Sequence, residues 1–168
     1  MIRVDLETIM LAAGPVPSVI VLRERNCDSN MDTPARALTI QTGSFEAASI
    51  SAAMNNRKLN RPLTHDMYSS LLHKLNCTID RIEITKCVSS IFYCQVLFSN
   101  NERETFAIDA RPSDALNLAV HFNAPIYVDD DVMNRMSSTK IETPQESSEN
   151  ISEEELNSFL NNISPDDF

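Results

Sequence analysis

One run of sequence, FAIDARPSDALNLAVHFNAPIYVDDD from Phe106 to Asp131, constrains the fold more than any other. Phe106, Ile108 and Ala110 alternate with Thr105, Ala107 and Asp109, the period of a strand with one apolar face and Asp109 on the other. Arg111-Pro112 stops that strand. Proline lacks the amide hydrogen that a sheet interior needs, but its fixed φ suits the first turn of a helix, where Ser113 and Asp114 are suited to partner free amides. Leu116, Ala119 and Val120, with the row Ala115, Leu118 and Phe122, then give a wide apolar helix face. Asn123-Ala124-Pro125 ends the helix before a short Ile126-Tyr127-Val128 strand. The chain must therefore make a strand, a tight polar corner, a helix and a strand.

The corner gathers Asp109, Arg111, Ser113 and Asp114 beside the free amides of a helix N-terminus, a pattern that suits an anion or a phosphate. The same residues also suit plain architecture. Ser and Asp cap helices, and Arg111 has Asp109 and Asp114 as ready ion-pair partners.

Upstream, Ile2 to Leu11, Ser18 to Arg23 and Ala37 to Gln41 read as strands, the second apolar enough for burial on both faces. Gly14, Pro15 and Pro17 separate the first two, and Asn26 to Pro34 reads as a polar loop. A helix is expected from Ser44 through Asn55. After the basic linker Arg57 to Pro62 comes a helix near 64–76, with Thr64 as N-cap, Asp66 in the first turn, and Met67, Leu71, Leu72 and Leu75 as a buried stripe. His65 sits at its mouth, and His73 falls on the exposed side. Thr78 to Val88, Ile91 to Phe98 and the Phe106 strand read as a meander, with a Ser89-Ser90 turn that lacks glycine. The expected fold is α+β: a mixed, mostly antiparallel sheet with three main helices near 44–55, 64–76 and 112–122. The order also suggests a βββα pseudo-repeat in which Glu46-Ala47 falls on Asp114-Ala115.

The run DARPSDALNLAVHFNAPIYV, together with RPLTHDMYSSLLHKLNCTIDRIEIT, resembles the bifunctional nuclease family over roughly Met1 to Met133. Gly43 followed by Glu46-Ala47 fits a glycine and a Glu-Ala pair usual in that family, whereas the Ser89-Ser90 turn lacks the glycine its members usually carry. The resemblance implies a nuclease acting on DNA and RNA.

Charge bears on that implication. The chain of 168 residues has a formal charge of −10, but residues 141–168 hold eight acids and no Lys or Arg, leaving 16 acids against 14 bases in residues 1–140. A nearly neutral body with no basic cluster larger than Arg57-Lys58 and Arg61 neutralises few phosphates by itself, and a divalent ion, Mg or Mn, would offset the repulsion. Residues 1–136 are expected as one domain and 137–168 as an acidic, flexible tail. Within the tail, Ile151 to Ile163 has helical spacing and a Ser152/Glu155 capping box. Cys27, Cys77, Cys87 and Cys94 show no zinc-ligand spacing and read as reduced thiols. No apolar run approaches membrane-spanning length, and a cytoplasmic protein is expected. Strand edges in a small α+β domain favour a homo-oligomer.

Two functions remain open on these residues. In the first, a metal-assisted phosphodiesterase, His65, Asp66 and Asp114 are the catalytic candidates. Arg61, Thr64, Arg111 and Ser113 would hold substrate, and Glu46, Asp66, Asp109 and Asp114 would hold the metal. In the second, a non-catalytic module uses the same corner to bind an anion or a partner protein. The residues alone favour the binding module; the resemblance favours the nuclease. The helix mouths at Thr64 to Asp66 and at Arg111 to Asp114 are expected to share one face.

Overall fold

The computed structural model describes residues 1–12, 16–25, 35–57, 59–102 and 104–137. The polar loop at 26–34 lies outside these residues, as do Gly14, Pro15, Lys58, Cys27, the linker at 138–150 and the tail segment Ile151 to Ile163.

Strands β1 (Ile2–Met10), β2 (Ser18–Glu24) and β3 (Ala37–Thr42) form an antiparallel meander followed by helix α1 (Ser44–Met54). Helix α2 (Thr64–Lys74) intervenes. Strands β4 (Thr78–Val88), β5 (Ile91–Ser99) and β6 (Thr105–Ala110) form a second antiparallel meander followed by helix α3 (Pro112–Phe122). Strand β7 (Ile126–Val128) lies between the two meanders, giving the order β3-β2-β1-β7-β4-β5-β6. It pairs antiparallel with β1 and parallel with β4, so one short strand joins the halves into a seven-stranded mixed sheet. The fold is α+β, as the patterns imply, and both halves share the βββα order.

With two glycines in the whole chain, asparagine takes over the helix ends. Asn56, Asn76 and Asn123 adopt φ of 50°, 54° and 51° just past α1, α2 and α3, the left-handed conformation that terminates a helix and that asparagine tolerates better than most residues. The glycine-free turn between β4 and β5 is left-handed at both Ser89 (φ 50°) and Ser90 (φ 64°), the backbone that a two-residue hairpin with the right twist requires.

The core is continuous across both halves. Ile20, Leu22 and Leu38 from the first meander meet Ile82 and Ile84 from the second, with Ile50 of α1 and Leu116 of α3, all fully buried. Each such side chain contributes on the order of 1.5–3 kcal/mol by leaving water. α3 is the central helix, packed on α1, α2, β4 and β5. A fourth helix, α4 (Asp130–Met136), extends the expected set. The Asp129 carboxylate caps it by accepting from the Asp131 amide at 2.9 Å, and it buries Val132 and Met133.

One expectation needs correction. The α2 stripe is not buried: Met67, Leu71 and Leu75 are 57%, 49% and 60% exposed, and of the four only Leu72 packs partly on the core. Helical spacing predicts an apolar face but not what covers it, and α2 sits beside α3 at the rim of the sheet. β6 is an edge strand, and its apolar face leaves Phe106 and Ile108 41% and 50% exposed.

Candidate functional site where three helices begin

α1, α2 and α3 start near one another, and each carries an acid three residues past its N-cap: Glu46 after Gly43, Asp66 after Leu63, and Asp114 after Arg111. Carboxylates are stable there because the helix amides present partial positive charge. The three nevertheless have different partners. Asp66 turns onto its own helix, accepting from the Leu63 amide at 2.7 Å, and lies 3.5 Å from His121 Nε2. Asp114 turns outward to Arg111, whose Nε and Nη2 donate to it at 2.7 and 3.1 Å. Arg111 Nη1 reaches Glu46 at 3.3 Å, so one guanidinium holds two of the acids.

His65, the second residue of α2, completes the cluster. Its Nε2 lies 3.1 Å from Asp114 Oδ1 and its Nδ1 3.4 Å from Ser49 Oγ, while Asn117 Nδ2 donates to that same Ser49 oxygen at 2.7 Å. One proton arrangement satisfies the chain of groups. Ser49 accepts from Asn117 and donates to His65 Nδ1, and His65 donates from Nε2 to Asp114. Asn117 is fully buried between α1 and α3, and its Oδ1 has no hydrogen-bond partner among the described residues.

Burial pushes the Asp114 carboxyl up, but the hydrogen bonds and charges of Arg111 and His65 outweigh it and hold the group below the usual aspartate range. Asp114 in turn holds the Arg111 guanidinium above its ordinary value, with Glu46 adding to the effect. The cluster is therefore a fixed array of charges.

Arg111 and Glu46 stand on a ridge between two clefts. One, of about 540 Å³, is lined by Gly43, Ser90, Phe92 and Ser113; the other, of about 930 Å³, runs past His65, Asp114 and Asp109 into an apolar stretch. The Arg111 side chain is 66% exposed, and three of its five N–H donors have described partners. It can meet an anion without leaving its carboxylates.

The structure thus gathers His65, Asp114, Arg111 and Glu46, and the two helix mouths do share a face. The contact between them is made by His65 rather than Asp66. Thr64 is the first helical residue of α2, not its cap, which is Leu63, and it lines the larger cleft. Ser113 is buried at 7% exposure, and neither it nor Asp114 caps α3 through a side chain at the N-cap Arg111. Arg111 pairs with Asp114 and not with Asp109, which lines the larger cleft from β6. Arg61 is exposed on the connection before α2, outside the lining of either cleft. Among the described residues, no three His, Cys, Asp or Glu side chains come together as a metal cage. Ser49 and Asn117 escaped the sequence reading; the signal was a polar residue on the inward face of each of two apolar helices.

Residues 21–140 match the family model described as the bifunctional nuclease domain. The chain is 32% identical over 157 residues to an uncharacterized protein of Mycobacterium tuberculosis, covering 89% of this chain and 87% of that one. It is 28% identical over 145 residues to Bifunctional nuclease 1 of Arabidopsis thaliana and 26% identical over 149 residues to Bifunctional nuclease 2 of Oryza sativa subsp. japonica. These alignments cover 82% and 73% of this chain, but 42% and 46% of the plant proteins, so the chain spans less than half their length.

Proposed function

Because this chain belongs to the bifunctional nuclease domain family, we propose that it hydrolyses phosphodiester bonds of DNA or RNA at the ridge where α1, α2 and α3 begin. The observation that carries the proposal is the convergence of His65 and the ion pair Arg111–Asp114 beside those helix N-termini. Arg111 binds and orients the phosphate through its outward donors, and the charge that develops on the phosphoryl oxygens meets a preorganised cation. Asp114 holds His65 by Nε2, and His65 moves the proton of the attacking water or the leaving alcohol at Nδ1, which exchanges its long 3.4 Å contact with Ser49 Oγ for that group.

A divalent ion, Mg or Mn, belongs to the same proposal. Such an ion needs only one or two carboxylates when substrate phosphate supplies further oxygens, and Glu46 with Asp114 would supply them if Arg111, which now holds both, turned to the phosphate. When bound, it would supply Lewis-acid stabilisation of the phosphoryl oxygens. Self-association and a cytoplasmic location complete the reading, the latter supported by unpaired thiols at Cys77, Cys87 and Cys94. Among the described residues, no helix is long and apolar enough to cross a membrane.

The test is hydrolysis of single-stranded DNA and RNA by the purified chain, with and without chelator, beside Asp114→Asn prepared identically. Cleavage by the wild type that falls at least a hundredfold in the variant supports the proposal; equal rates in the two preparations would show that Asp114 takes no part in the cleavage. The competing reading, a non-catalytic anion- or protein-binding module, draws on the fact that Arg111 and its two acids already satisfy one another. Binding of the oligonucleotide without turnover would favour it.

A further inference from the structure

We propose that β6 and α2 form the interface of a two-fold symmetric dimer, in which the β6 strands of two copies pair antiparallel and the exposed α2 faces close over the seam. The inference does not depend on catalysis. It starts from two apolar faces that the single chain leaves open: Met67, Tyr68, Leu71 and Leu75 on α2, 49–60% exposed, and Phe106 and Ile108 on β6, 41% and 50% exposed.

The larger cleft brings these faces together. Tyr68 and Leu71 line it opposite Ile108, over a floor of Val96 and Phe98, and Phe106 stacks on Phe98 with ring centroids 5.3 Å apart. The six side chains, each 41–60% exposed, together leave roughly 500 Å² uncovered, the scale of a large surface patch. That is near the top of what a monomer ordinarily exposes in one patch, about 300–600 Å², and a large share of the roughly 800 Å² that each partner contributes to a standard interface.

The occupant is identified by the backbone. β6 ends the sheet, five of its six residues are exposed, and neither proline nor lysine interrupts it. It therefore lacks two common devices that keep an edge strand from pairing. The opposite edge, β3, is different: its less buried positions are the polar Thr39, Gln41 and Thr42. β6 also matches itself. An antiparallel pairing centred on Ala107 puts Phe106 against Ile108 of the second copy on the helix side and Thr105 against Asp109 of the second copy on the other. Apolar groups then meet apolar groups, and each carboxylate faces a hydroxyl.

The test uses the full chain. Sedimentation equilibrium at micromolar concentration should give about twice the 18.8 kDa chain mass. Ile108→Lys and, separately, Leu71→Glu should return the mass to that of one chain with the circular dichroism spectrum unchanged. Both side chains are solvent-exposed in the single chain, so neither substitution should prevent folding. Ala107→Cys should form disulfide-linked dimers under mild oxidation, because the residue faces its own copy across the axis, whereas Thr105→Cys and the wild type should not. A monomeric mass for the wild type overturns the proposal, whether residues 138–168 cover the face or nothing does. A dimer that survives both charge substitutions, or cross-links equally well through Thr105→Cys, also overturns it.

Discussion

His65 Nε2 lies 3.1 Å from Asp114 Oδ1, joining the mouths of two helices 49 residues apart in sequence. Asp114 also receives two hydrogen bonds from Arg111, and Arg111 reaches Glu46, so a single aspartate ties together the starts of α1, α2 and α3.

That role gives the fold a pH signature. The Asp114 carboxyl titrates below its unfolded value, so the unfolded chain binds the proton first as pH falls. The stability it contributes is complete above the unfolded aspartate value of about 4 and is lost as pH falls through the folded value. Melting temperature measured from pH 6 down to pH 2 should therefore drop less steeply in Asp114→Asn than in the wild type. Parallel curves would show that Asp114 is not linked to folding.

Ser49 is the joint between Asn117 and His65, and Ser49→Ala strands an amide hydrogen of a fully buried side chain. The expected loss is about 1–3 kcal/mol in urea unfolding, the usual cost of an unpaired buried donor. Adding Asn117→Leu removes the stranded group as well as the unpartnered Oδ1, so the double variant should recover much of that loss. A double variant weaker than the sum of its parts would show that Asn117 matters for shape and not for polarity.

Gly43 leaves room for Glu46. A Cβ at Gly43 would stand 2.4 Å from Glu46 Oε2, so Gly43→Ala must push that carboxylate aside and disturb its 3.3 Å contact with Arg111. Because the colliding atom is the end of a flexible side chain, the shift is cheap, and the substitution should cost no more than the weak Arg111–Glu46 contact, a cost that should vanish beside Glu46→Ala. An identical effect in both backgrounds would place the cost in the backbone at Gly43.

The β4–β5 turn carries the strain of two left-handed serines. Replacing Ser89-Ser90 with Asn-Gly, the pair that this turn geometry prefers, should stabilise the chain by about 1 kcal/mol or more. Urea unfolding provides the measurement, and an unchanged midpoint would mean that the serines adopt the conformation without penalty.

Much of this architecture is legible in the chain itself. Period-two alternation marks β1, β4, β5 and β6, Pro112 sets the start of α3 at the first residue after Arg111, and Asn123 marks its end. These are local signals, carried by the backbone preferences of a few adjacent residues, and they survive whatever the rest of the molecule does. The polar corner at Arg111 and Asp114 belongs to the same class, since Arg111 can reach the acid three residues on without help from the fold.

What the pattern could not decide was which distant groups would meet. An apolar stripe at helical spacing looks the same on a buried helix and on one at the rim of a sheet, so the exposure of Met67, Leu71 and Leu75 was settled only when α2 found α3 as its neighbour and no other described element covered its far side. The position of β6 at the sheet edge follows from pairing between strands far apart in sequence, which no local preference encodes. The same holds for the site. Asp66 and Asp114 occupy equivalent places on their helices, yet one caps its own amides and the other joins three elements. The difference is that packing brought Arg111, Glu46 and His65 to Asp114, while Asp66 had the Leu63 amide within reach. Ser49 and Asn117 became a relay for the same reason: two inward-facing polar side chains 68 residues apart in sequence had, among the described residues, each other and His65 as partners once α1 closed on α3.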